Sequence, residues 1–227
     1  MNAACETRRR PRKHGVRELD EDGFRQLWPV LFLQRTLPSS ARPNAELERL
    51  IVARERERPD RTTAYRDGNL FAIENPALAW LRQCVHKTAN DYCRRAAMDY
   101  PIDWIAQGWA NVNRLGDYHD PHNHPHAYLS GTYYVRVPAS RATPRNRADV
   151  RPGCITFYDP RVTNITALRD DPQSDPELTV VPAAGMILMW PAFVMHFVHP
   201  NLSDEPRISI SFNLMVKNPQ GHLPRQE

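Results

Sequence analysis

Two periodicities of apolar residues divide this chain at about residue 103. On the N-terminal side the spacing is helical. Leu47, Leu50 and Ile51 share one face of a helix with Asn44 as its expected N-cap, and Pro59 ends it. Asn75 followed by Pro76 is a second helix start. Leu78, Leu81, Val85, Ala89, Tyr92 and Ala96 then recur every three or four residues. The apolar run 27–33 reads as a strand ahead of both helices, and 60–74 as a polar connection.

From residue 104 the period falls to two, the signature of strands with one buried face. Strands are predicted at 104–113, 130–137, 153–158, 178–182, 186–190, 193–199 and 207–216, with turns rich in Gly, Pro, Asn or Asp between them. The last strand alternates without a break. Arg207, Ser209, Ser211 and Asn213 share one face; Ile208, Ile210, Phe212 and Leu214 share the other. Short strands joined by turns, with no helical pattern between them, predict an antiparallel sandwich or barrel. The expected fold class is α+β, mainly β. Residues 23–227 form one domain, with a helical layer at 23–103 packed on one sheet of a β core at 104–216. Residues 1–22 read as a disordered basic tail.

Composition narrows the class. The chain has 227 residues, 41% of them hydrophobic and 25% charged, as in ordinary globular proteins. No apolar run approaches a membrane span, and the N-terminus lacks a signal peptide's apolar core, so a cytoplasmic protein with no membrane partner is expected. The net charge of +4 owes much to Arg8, Arg9, Arg10, Arg12 and Lys13. No aromatic residue interleaves that run, which favours a solvated tail over a nucleic-acid contact. Cys5, Cys84, Cys93 and Cys154 form no CxxC pair and read as reduced thiols.

The chemistry concentrates in Tyr118-His119-Asp120-Pro121-His122-Asn123-His124-Pro125-His126, just before the strand at 130–137. In an extended segment His122 and His124 point the same way and can grip one metal ion. A third ligand is needed, and His196 is the best placed. Asp120 is two residues before His122 and is an alternative carboxylate ligand. His119, His126 and His199 are assigned to the pocket rim or surface, and His86 to a helix surface. If 193–199 and 207–214 form a hairpin folded about 201–202, His196 lies nearly opposite Arg207. The guanidinium then reaches beyond a metal held by His196, where it would take the far carboxylate of a chelating acid in a bidentate fork.

In order, these segments are His-x-His-Pro, Ser130-Gly131-Thr132-Tyr133-Tyr134, His196, and Arg207-Ile208-Ser209-Ile210-Ser211-Phe212-Asn213. The series resembles the iron(II)- and 2-oxoglutarate-dependent oxygenase superfamily over about 104–216. The resemblance implies a double-stranded β-helix (jelly-roll) core and a hydroxylase whose cofactors are Fe(II) and 2-oxoglutarate. It implies that His122 and His196 ligate iron, that Arg207 pairs with the far carboxylate of 2-oxoglutarate, and that Ser209 and Asn113 assist. The family's usual ligand pattern is His-x-Asp/Glu…His; here His124 stands at the carboxylate position. That departure keeps two alternatives open: a non-catalytic jelly-roll protein that binds metal or a small acid, and a cupin-like three-histidine metalloenzyme that does not use 2-oxoglutarate. No motif marks the substrate or the oligomeric state. The stretches 139–152 and 161–177 are expected at the pocket mouth.

Overall fold

The computed structural model describes residues 30–57, 63, 68–98, 100–139, 151–161 and 176–217. The basic tail, and most of the two stretches expected at the pocket mouth, lie outside them. Among the described residues, nine strands form two sheets. The major sheet contains β1 (Leu33–Thr36), β2 (Trp104–Asn113), β4 (Leu129–Arg136), β7 (Met186–Pro191) and β9 (Arg207–Val216), in the order β1-β7-β4-β9-β2. The minor sheet contains β3 (His119–His122), β5 (Ile155–Tyr158), β6 (Glu177–Val180) and β8 (His196–Val198), in the order β3-β8-β5-β6. All pairings are antiparallel. Helices α1 (Ala41–Glu55) and α2 (Pro76–Arg95) precede the main β region and pack on the major sheet. The fold is the expected mainly-β jelly roll with a helical layer. No helix among the described residues is long and apolar enough to cross a membrane.

The alternation of β9 explains the layering. Ile208, Ile210, Phe212 and Leu214 join Leu47, Leu81, Val85 and Ala89 in the core between helices and sheet. A second core between the two sheets takes Tyr134, Leu188 and Trp190 from the major sheet, and Ile155, Phe157 and Val198 from the minor one. The polar face of β9 therefore looks into the space between the sheets. Gly131 on β4 makes close packing possible: a Cβ there would lie 2.3 Å from Phe212 Cζ and 2.5 Å from the Leu188 carbonyl.

Asn75 caps α2 as expected, its side chain accepting from the amides of Ala77 and Leu78. The α2 stripe is buried except for Ala96, which is the exposed C-cap. Several other expectations need correction. Helix α1 begins at Ala41 with Ser40 at the N-cap, so Asn44 lies in the first turn; its side chain instead accepts from the Tyr133 hydroxyl at 2.5 Å. Of the strand expected at 27–33, residues 27–29 lie outside the described residues, 30–32 are irregular, and the first described strand is Leu33–Thr36. The connection at 60–74 holds a 3-10 turn at Leu70–Ala72 that buries Leu70 and Phe71. The predicted hairpin also fails. β8 pairs with β3 and β5, whereas β9 pairs with β4 and β2, so 200–206 crosses between sheets. The apolar face of β9 needs continuous cover, and the helices supply it on the major sheet. Asn201 fixes the crossover by donating to the carbonyls of Asn113 and Glu205.

Candidate metal centre

The site lies between the sheets. β3 and β8 pair with His119 opposite Val198 and His122 opposite His196, with a bulge between them. Residues three apart would face opposite sides of a regular strand; the bulge at Asp120-Pro121 brings both His119 and His122 to the inner face. His124 follows the strand, held by its amide on the Ala192 carbonyl at 2.9 Å and by a turn closed through Ala127.

His122, His124 and His196 are brought together. One ring nitrogen from each lies within 4.8 Å of the others. Ring centres are 4.2 Å apart for His122 and His196, 5.2 Å for His122 and His124, and 5.4 Å for His124 and His196. Three imidazole nitrogens bound to one ion stand about 3.0–3.6 Å apart, so the rings need draw in by no more than about 1–2 Å to close on a metal. Asp120 is exposed and outside the cluster; its backbone carbonyl sits 2.6 Å from His122 Nδ1. The Val194 carbonyl is 3.1 Å from His196 Nδ1. A carbonyl only accepts, so both Nδ1 atoms carry the proton and both Nε2 lone pairs are free to ligate. His124 Nδ1 is 3.5 Å from the Asn213 amide, which Ser130 holds at 2.7 Å. Amide oxygen and nitrogen exchange by rotation, and the Ser130 hydroxyl gives or takes a hydrogen bond, so Asn213 can present its oxygen to an Nδ1 proton of His124.

Burial lowers the pKa of His196 to about 3 and that of His124 to about 4, with the neighbouring imidazoles adding to the effect. Both rings are neutral at pH 7 and need lose no proton before they ligate.

Arg207 lies at the other part of the same pocket, only 2% exposed. It donates to Asn113 Oδ1 at 2.8 Å and to the Gly153 carbonyl at 3.1 Å. No carboxylate pairs with it among the described residues, and its Nε has no partner. A buried guanidinium without a counter-charge is costly. Tyr134, opposite Ser209 in the β4–β9 register, lines the same space. Burial pushes its hydroxyl up to about 12 while Arg207 opposes the shift, so the phenol stays a donor.

Six buried side-chain nitrogen or oxygen atoms lack a partner among the described residues. Four belong to the pocket lining (Asn111, His119, Trp190 and Arg207), and a fifth belongs to Asn113, the partner of Arg207. Native interiors leave few such groups, and their clustering marks a ligand site. A dicarboxylic 2-oxo acid fits: imidazoles for the metal it chelates, and a desolvated cation with neutral donors for its other end.

The sequence reading missed Tyr134, Trp109 and Trp190, which wall the pocket, and it misplaced His119 and His199. Tyr134 had a signal, because Ser130, Thr132 and Tyr134 share one parity next to the polar face of β9. His119 is not at the rim; the bulge turns it inward. His199 is not a surface residue. It is buried on the far side of β8, with Nε2 2.7 Å from the Thr156 hydroxyl. His126 is exposed.

Comparison with known proteins agrees with this geometry. Residues 107–213 match the family model described as "Putative 2OG-Fe(II) oxygenase". No curated protein matches the sequence. Among solved structures, a Pseudomonas putida prolyl-4-hydroxylase is similar with a TM-score of 0.55 and 13% identity, over 82% of this chain and 88% of that one. AviO1 from Streptomyces viridochromogenes Tue57 gives 0.56 and 12%, over 86% and 92%. HygX from Streptomyces hygroscopicus, a structure with nickel and 2-oxoglutarate bound, gives 0.53 and 13%, over 81% and 82%. At these identities the structures speak for the fold, and the family match speaks for the chemistry. Together these findings indicate an iron(II)- and 2-oxoglutarate-dependent oxygenase, an oxidoreductase, through a family match that spans residues 107–213, just under half of the chain.

Proposed function

We propose that this oxygenase is a hydroxylase in which His122, His124 and His196 hold the iron and Arg207 seats the far carboxylate of 2-oxoglutarate. Iron(II) and 2-oxoglutarate supply the oxidising chemistry: dioxygen is reduced, the 2-oxo acid leaves as succinate and carbon dioxide, and a substrate C–H becomes C–OH. The protein's tasks are ligation, orientation and exclusion of water. The carbonyls of Asp120 and Val194 fix two imidazoles in the ligating tautomer. Asn113 and the Gly153 carbonyl hold the guanidinium in place, and Ser209 and Tyr134 offer neutral hydroxyls beside it. Trp190, with its ring centre 5.0 Å from that of His196, and Trp109, 5.7 Å from His124, wall the metal end.

Three neutral ligands leave the metal one charge more positive than two imidazoles and a carboxylate would. A dianionic cosubstrate is bound more strongly by such a centre. The carrying observation is the pairing, in one pocket, of an imidazole triad with a buried guanidinium that no carboxylate among the described residues neutralises.

The test is an anaerobic titration. Wild-type protein should bind one Fe(II) and then develop a metal-to-ligand charge-transfer band with 2-oxoglutarate. His196→Ala should lose metal binding, and full metal occupancy in that variant would remove His196 from the ligand set. Succinate formation under air, stimulated by a hydroxylated substrate, completes the assignment.

A further inference from the structure

We propose that His119 is a further cosubstrate contact, with its Nε2 hydrogen-bonded to the far carboxylate of 2-oxoglutarate beside Arg207; this rests on the reading of the site given above. His119 stands where the ligand pattern does not require a histidine, three residues before His122 and turned inward only because the strand bulges. Its Nε2 is buried and has no partner among the described residues. A buried ring nitrogen that faces a ligand pocket and finds no protein partner is either a defect or a contact waiting for the ligand.

The position favours the carboxylate end. His119 is outside the triad that converges on one point. Its ring centre is 6.3 Å from that of His122, farther than any pair within the triad. His119 pairs with Val198, which pairs with Ile155, two residues beyond the Gly153 carbonyl that Arg207 holds, whereas His122 pairs with His196 at the metal end. A neutral imidazole has one donor nitrogen and one acceptor nitrogen, so the unpartnered Nε2 can donate to a carboxylate. A carboxylate has about four acceptor sites, more than one guanidinium fork can fill. Tyr134 approaches from β4, Arg207 from β9 and His119 from β3, so the two sheets together would enclose the group.

The test compares two 2-oxo acids on iron-loaded protein without oxygen: 2-oxoglutarate, and pyruvate, which lacks the far carboxylate. His119→Phe keeps the ring and removes the hydrogen bond. It should weaken 2-oxoglutarate about tenfold or more, the worth of one hydrogen bond to a charged group, and leave pyruvate and Fe(II) affinity unchanged. His119→Gln, whose amide nitrogen can reach the Nε2 position, should restore affinity to within about threefold of wild type. If His119→Phe does not fold, His119→Leu carries the same comparison. Wild-type affinity for 2-oxoglutarate in the Phe or Leu variant would overturn the proposal. So would equal weakening of both acids, which would put His119 at the chelating end. Arg207→Gln separates this proposal from its parent. Unchanged 2-oxoglutarate affinity there would sink the carboxylate seat itself, whereas a loss there with none in His119→Phe would sink only the role of His119.

Discussion

Removing the metal and lowering the pH from 7 to 5 should sharply destabilise this protein. An imidazole in the unfolded chain titrates near 6.5, whereas burial and neighbouring charges hold His119 and His124 at about 4 and His196 at about 3. The folded values lie below the unfolded ones. Between about pH 4 and 6.5 the unfolded chain therefore binds protons that the folded chain refuses, and stability falls as the pH falls. At pH 5 each such group costs about 2 kcal/mol relative to pH 7. Three acting independently cost about 6 kcal/mol, a large share of the roughly 5–15 kcal/mol that stabilises a domain. His86 and His199, also lowered by burial, act in the same direction. Asp91 and Asp159, lowered by hydrogen bonds from Arg35 and Arg161, titrate below this window. The assay is the urea midpoint of chelator-treated protein at pH 7, 6 and 5, alongside His124→Gln, which removes one refused proton and should flatten the slope. A wild-type stability that changes by less than about 1 kcal/mol over that range would refute the claim that these rings are held neutral.

Other substitutions test the supporting structure. Asn213→Leu strips His124 of its amide neighbour and should lower metal affinity about ten- to hundredfold in a metal titration while the fold persists. Gly131→Ala forces a methyl against Phe212 and the Leu188 carbonyl and should destabilise by about 1–3 kcal/mol or more in urea unfolding. Tyr92→Phe removes the 2.7 Å hydrogen bond to the Leu31 carbonyl and should cost about 1 kcal/mol of stability without changing cosubstrate binding.

The site was legible in the sequence wherever it depended on parity. Side chains alternate along any strand, so the facing of Arg207, Ser209, Ser211 and Asn213 away from Ile208 and Ile210 needs no knowledge of neighbours. Strand partners are another matter. The sequence places 193–199 and 207–216 close together and suggests a hairpin, but which sheet a strand joins depends on what covers its apolar face, and that cover comes from helices more than 110 residues earlier. His119 was misjudged for a local reason: parity assumes a regular strand, and the bulge at Asp120-Pro121 shifts the register by one. Asn44 looked like a cap because short polar residues favour that position, yet Ser40 lies one turn earlier and the Tyr133 hydroxyl claims the Asn44 side chain.

β9 is a shared wall, with the helical layer on one side and the histidine-lined pocket on the other. Thinning the wall from the helix side, at Ile210 for instance, lets the backbone that carries Ser209 and Ser211 drift. Inactivating changes should therefore accumulate on both faces of this one strand, including positions that no ligand ever reaches.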